Sequence, residues 1–177
     1  MPNVPVTAWR LSCAGNMLNT GSASHAGRTE AKPPRSGGAM RIEVHEAAAP
    51  PQAEGITAGL LAHLVEKAGD WPRVPLTVML KDDAGLLRGG IRGMLTLCWL
   101  QIDNFWIETA FRGQGHGSRI LSQAEDAARG KGAIGAQLTT STFQAIGFYE
   151  KHGYVEIGRL RDRPPGQDRV WMAKRWG

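Results

Sequence analysis

Arg112-Gly113-Gln114-Gly115-His116-Gly117-Ser118 decides how the rest of this 177-residue chain is read. The stretch follows a strand-like segment ending near Glu108. It precedes a helical stripe of Ile120, Leu121, Ala124, Ala127 and Ala128 that closes at Gly130. Glycines at a strand-to-helix junction let the backbone come close to a ligand. The first turn of the helix adds unpaired N–H groups at the positive end of its dipole. That combination suits a pyrophosphate. An ATP-binding P-loop requires Gly-Lys-Ser/Thr at the helix start, whereas here Gly117 is followed by Ser118-Arg119. The dinucleotide fingerprint G-x-G-x-x-G fails as well, because Ser118 stands three residues after Gly115.

Working outward, Ile56, Leu60, Leu61, Leu64 and Val65 recur at helical spacing. They predict a helix of about 13 residues closed by Gly69. Leu76 to Leu80 reads as a strand and Lys81 to Gly85 as a hairpin turn. Leu86 to Trp99 and Leu100 to Glu108 continue the meander. Beyond the loop, Ala133 to Thr140 is a strand and Thr142 to His152 a helix closed by Gly153. Tyr154 to Leu160 and Asp168 to Ala173 are the last strands, joined through Pro164-Pro165-Gly166. Strands first, then strands alternating with helices, predict a mixed sheet with helices packed on it, of α+β or α/β class.

Arg112-x-x-Gly115-x-Gly117 at such a junction resembles the acetyl-CoA pyrophosphate motif of the GNAT acyltransferases. Phe148-Tyr149-Glu150-Lys151-His152-Gly153-Tyr154 resembles the second signature of that family, Phe-Tyr-Glu-Lys-x-Gly-Phe/Tyr. The two occur in the family's order, and the resemblance covers Met40 to the C-terminus. It implies the GNAT fold: a mixed, mostly antiparallel sheet of six to seven strands, splayed in the middle and flanked by three to four helices. It also implies acetyl-CoA as cosubstrate, no metal, and acetyl transfer to a primary amine by direct attack in a ternary complex.

Residue roles follow from the resemblance. The amides of Gly113, Gln114, Gly115, His116, Gly117 and Ser118, led by Arg112, are expected to bind the CoA pyrophosphate. His116 is then an amide donor rather than a catalytic imidazole. The Ile107 backbone is a candidate donor to the thioester carbonyl, where charge develops in the transition state. Tyr149 occupies the family's usual general-acid position. A phenol near ~10 facing a thiol near ~8.5 makes full proton transfer uphill by about 2 kcal/mol. Glu108 and Asp103 are the candidate bases, and strand alternation puts them on opposite faces. Thr142 stands where the family often has an asparagine that contacts CoA, and Thr142 or Ser141 is an alternative N-cap. Trp71, Trp99 and Trp106 are available to line an acceptor pocket, although core packing is the favoured role for each.

The composition fits this picture. Lys+Arg number 21 against 16 Asp+Glu, for a net charge of +5. Residues 1–39 carry Arg10, Arg28, Lys32 and Arg35 against Glu30, so three of those charges belong to a Pro/Gly/Ser-rich tail without helical or strand period. We expect this tail to be a disordered extension and residues 40–177 to form the acetyltransferase domain, opening with a strand-like run from Met40 to His45. The domain alone is nearly balanced, which argues against the rival reading of a basic nucleic-acid module. A second rival is a domain that binds acyl-CoA without turning it over; retention of Tyr149 favours catalysis. No apolar run approaches the ~18 residues of a membrane helix. Cys13 and Cys98 are too few for a disulfide framework, and the histidines lack ligand spacing. The expected protein is a cytoplasmic monomer or homodimer acting on a small-molecule or peptide amine.

Overall fold

The computed structural model describes residues 41–45 and 50–177, so the expectation for residues 1–39 lies outside them. The described chain divides into two units, residues 41–70 and residues 71–177. In the first unit, residues 41–45 carry no regular structure, so the expected opening strand does not form there. A 3-10 turn at Pro51–Ala53 leads into helix α1, Glu54–Ala68, which ends where Gly69 turns to φ 83°.

The second unit holds six strands: β1 Val74–Lys81, β2 Leu87–Thr96, β3 Trp99–Ile107, β4 Gly135–Ser141, β5 Val155–Leu160 and β6 Arg169–Arg175. Helix α2, His116–Gly130, joins β3 to β4, and the short α3, Ile146–Lys151, joins β4 to β5. The sheet order is β1-β2-β3-β4-β6-β5, with only β3 and β4 parallel. Among the described residues this is a six-stranded, mostly antiparallel open sheet with three α-helices, as the GNAT resemblance implies. No helix among them is long and apolar enough to cross a membrane.

Two local features set the geometry of the centre. Leu97 and Cys98 both take positive φ, 48° and 61°, and make the two-residue turn that separates β2 from β3. Asp103 is the extra residue of a bulge, since Arg92 pairs with Asn104 while Gly93 already pairs with Ile102. Gly93 is required there: a Cβ on it would lie 2.3 Å from the Gln101 carbonyl oxygen. Before the bulge Leu100 and Ile102 face the core; after it Phe105 and Ile107 do. Strict alternation therefore fails between Asp103 and Glu108.

The core lies between one sheet face and α2. Ile91, Leu95, Leu100, Ile102, Leu138, Val170 and Met172 are buried from the sheet, and Ile120, Leu121, Ala124 and Ala128 from the helix. Each large side chain so buried stabilises by about 1.5–3 kcal/mol. The small residues of α2 let the helix lie close to the strands. Pairing between β3 and β4 stops at Ile102 and Leu138. Beyond that point the two parallel strands part, and the site lies in the gap.

Candidate active site

The gap opens into a cleft of about 670 Å³. One wall is the end of β3, Phe105 to Ile107; the floor is the glycine loop with the first turn of α2; the other wall is Thr140 with Phe143 to Ala145 and the start of α3. Glu108 donates its N–H to the Arg88 carbonyl on β2 at 2.9 Å. Backbone alternation then directs the N–H groups of Ile107 and Phe105 into the gap, where β4 no longer meets them.

The loop is built for its shape by two glycines and for packing by a third. Gly113 and Gly115 take φ 75° and 79°, which only glycine adopts without strain. Gly117 faces inward, and a Cβ there would press on Phe148 at 3.3 Å and Ile107 at 3.4 Å. Gly115 is the N-cap of α2 and offers no side-chain cap, so the first-turn amides keep their donors. Arg112 folds its Nε back onto the Ile107 carbonyl at 2.8 Å, and Gln114 donates to the Ala110 carbonyl at 2.9 Å. Arg112, Gly113, Gly115, Gly117 and Ser118 line the cleft, whereas the Gln114 and His116 side chains stand outside its lining.

Tyr149 reaches the cleft from α3. It is buried, with 8% of its surface exposed, and is held edge-on by Phe148, Tyr154 and Phe105, ring centroids 5.3, 5.8 and 6.4 Å away. Its hydroxyl has no hydrogen-bond partner among the described residues. Burial pushes its pKa up to about 12. The helix is shorter than the expected Thr142–His152, beginning at Ile146. The residues before it are held otherwise: Gln144 accepts from the Ser141 N–H and the Thr140 hydroxyl.

Thr142 is drawn away from the cleft lining. Its hydroxyl donates to Gln167 at 2.6 Å and accepts from the Asp168 N–H at 3.0 Å, and neither it nor Ser141 caps α3. The two candidate carboxylates also stand outside the lining. Asp103 is exposed in the bulge. Glu108 is ion-paired to Arg88 at 2.9 Å. Of the tryptophans, Trp106 lines the cleft, half exposed, while Trp71 packs against the core. Thr140, at the end of β4, and Phe143, Gln144 and Ala145, in the loop after it, are lining residues that the sequence did not announce, because none of them belongs to a motif. No group of three or more metal-type ligands occurs among the described residues.

The comparisons with known proteins agree with this architecture. Residues 72–156 match the model of the acetyltransferase (GNAT) domain. An acetyltransferase of Agrobacterium fabrum is 31% identical over 66% of this chain and 85% of its own length. The blasticidin-S acetyltransferase of Streptomyces morookaense is 42% identical over 48% of this chain and 62% of its own. A solved acetyltransferase from Bacillus cereus superposes with a TM-score of 0.70 at 28% identity, covering 76% of this chain and 98% of that one. The matched domain contains both the glycine loop and the Phe148–Tyr154 signature, and one relative is aligned over most of its length. On that ground the chain belongs to the GNAT acetyltransferase family and is an acyltransferase.

Proposed function

We propose that the protein transfers an acetyl group from acetyl-CoA to the primary amine of a small molecule, by direct attack in a ternary complex. The observation that carries this reading is the gap beyond Ile102 and Leu138: one cleft joins the uncapped N-terminus of α2 to the Tyr149 side chain. The pyrophosphate sits against the amides of Gly113 to Ser118, neutralised by the helix dipole and Arg112. The pantetheine arm runs along the unpaired edge of β3, and the Ile107 N–H donates to the thioester oxygen as charge develops there.

Tyr149 faces the departing sulfur. With its pKa at about 12, full transfer to a thiolate of ordinary pKa ~8.5 is uphill by about 5 kcal/mol. The phenol therefore serves as a hydrogen-bond donor that stabilises the leaving thiolate rather than as an acid that gives up its proton. Cys98 has no part as an acetyl carrier: it is buried in the β2–β3 turn, at the end of β3 opposite Ile107. Glu108 is engaged by Arg88, so the acceptor enters as the free amine and its proton leaves to solvent. Acetyl-CoA hydrolysis is avoided because Phe105, Phe148 and Tyr149 surround the reacting carbon with apolar surface.

Release of CoA thiol from acetyl-CoA across a panel of amines, beside calorimetric titration with CoA, tests the reading. Blasticidin S belongs in the panel because a relative is named for it. The expected result is turnover of at least one small amine, with kcat/KM rising about tenfold per pH unit below the amine's pKa. Tight CoA binding without turnover of any amine would leave the cosubstrate assignment standing and remove the acceptor one.

A further inference from the structure

Outside the cleft, the most connected ionic group in the unit is Arg88, near the start of β2. Its Nε and Nη2 bond Oδ2 of Asp82 at 2.8 and 2.7 Å, and its Nη1 bonds Oε2 of Glu108 at 2.9 Å. The face of the guanidinium covers the Phe111 ring at 5.3 Å from the centroid. Each partner is itself fixed. Asp82 belongs to the β1–β2 turn, where Oδ1 accepts the Leu86 N–H at 2.9 Å and the Asp82 N–H donates to the Leu86 carbonyl. Glu108 follows the last residue of β3 and caps the 3-10 turn Thr109–Phe111, which Phe111 closes and Arg112 follows. A single side chain thus ties a rigid hairpin to both ends of the short turn that launches the glycine loop.

From this geometry we infer that Arg88 is a positioning residue for the cosubstrate loop: by clamping Glu108 and Phe111 to the β1–β2 turn, it fixes where the amides of Gly113 to Ser118 face the pyrophosphate. The inference rests on the acetyl-CoA reading above and extends it. A guanidinium suits the task because its planar fork serves two carboxylates while its face stacks on a ring. Lysine offers only a point charge. The Gly113 and Gly115 Cβ positions have open space around them, so at the start of the loop side-chain packing adds little and the entry segment sets its direction; packing returns only at Gly117, against Phe148 and Ile107. Small misplacements of binding groups are costly, about a hundredfold for 1 Å in unfavourable cases.

The test compares acetyl-CoA with acetyl-pantetheine, a donor of the same thioester lacking the pyrophosphate, on the full chain. Arg88→Met keeps an unbranched apolar stem and removes the guanidinium with its charge. Asp82→Asn loosens the same clamp without touching β3 or the loop. Both are expected to raise KM for acetyl-CoA and Kd for CoA, roughly tenfold for Arg88→Met, with kcat changed less than threefold. Both are expected to use acetyl-pantetheine with wild-type kcat/KM, and Arg88→Lys to recover only part of the loss. Equal losses with the two donors would make Arg88 a general support of the fold and overturn the inference. So would unchanged CoA affinity in both variants. If the wild-type chain itself binds no CoA, the cosubstrate reading falls first and the inference with it.

Discussion

Tyr149 carries its chemistry through its surroundings. Three aromatic edges remove it from water, and removal from water penalises the phenolate, so its pKa rises to about 12. In the unfolded chain the same phenol ionises near ~10. Its contribution to stability is therefore complete below about pH 10 and is lost as pH rises toward 12. Tyr149→Phe is expected to lower kcat about a hundredfold, at the low end for losing one hydrogen-bond donor aimed at developing charge. Any alkaline fall in kcat centred below about pH 10 must survive the substitution. A limb at pH 8–9 that disappears with the hydroxyl, read from full pH profiles of both proteins, would contradict the raised value. At Gly115 the constraint is conformational: Gly115→Ala forces a side chain into φ 79°. We expect about 1–2 kcal/mol of strain, seen as a lower Tm together with a higher KM for acetyl-CoA.

At the scale of elements, α2 anchors the sheet by more than its apolar stripe. Glu125 is buried on it, 4% exposed, and accepts from Lys174 of β6 at 2.8 Å and from Arg129 at 3.2 Å. Arg129 in turn covers Trp176 at 4.5 Å. Removing one member of a buried pair strands the other's charge, whereas replacing both is often neutral. Lys174→Met is expected to cost about 2–3 kcal/mol, because the half-exposed Arg129 compensates only partly. The double change Glu125→Met with Lys174→Met is expected to return most of that, measured by denaturant midpoints of the three proteins. The stripe of Ile120, Leu121, Ala124 and Ala128 was legible from spacing alone, but Glu125 beside it reads as an ordinary surface residue. Its partner lies 49 positions away and no local pattern announces it. The turn at Leu97-Cys98 was hidden for another reason. Neither residue type favours positive φ, so only the pairing of β2 with β3 on both sides reveals it.

At the scale of the molecule, β3, β4, α2 and α3 each contribute to one cleft, so global unfolding abolishes it. A ligand bound only by the folded state at a hundred times its Kd adds about 2.7 kcal/mol of stability. CoA at that excess is accordingly expected to raise Tm by several degrees, and acetyl-pantetheine at the same concentration by less, in a thermal melt of the whole chain. No shift with CoA at any concentration would count against the cleft as its site. The order of elements, the class of the sheet and the two motifs were legible in the chain because each depends on local periodicity and on glycines at a junction. What the chain did not disclose is where the carboxylates go. Glu108 follows Ile107 directly and looks available to the reaction, yet it pairs across strands with Arg88, 20 residues upstream. Asp103 sits in a bulge beside the Gly93–Ile102 pair, where a Cβ on Gly93 would collide with the Gln101 carbonyl.

The chain alone showed that a glycine-rich loop stands between a strand and an amphipathic helix, with an aromatic signature downstream, because those features rest on neighbours a few residues apart. The tertiary structure alone decided that β3 and β4 part after Ile102 and Leu138 and that Tyr149 closes the resulting gap. It also turned Thr142 toward Gln167 and Asp168, and Glu108 toward Arg88. Those outcomes depend on pairings between segments distant in the chain. The free energy of such a pairing is set by burial and charge at contacts that no single stretch of sequence contains.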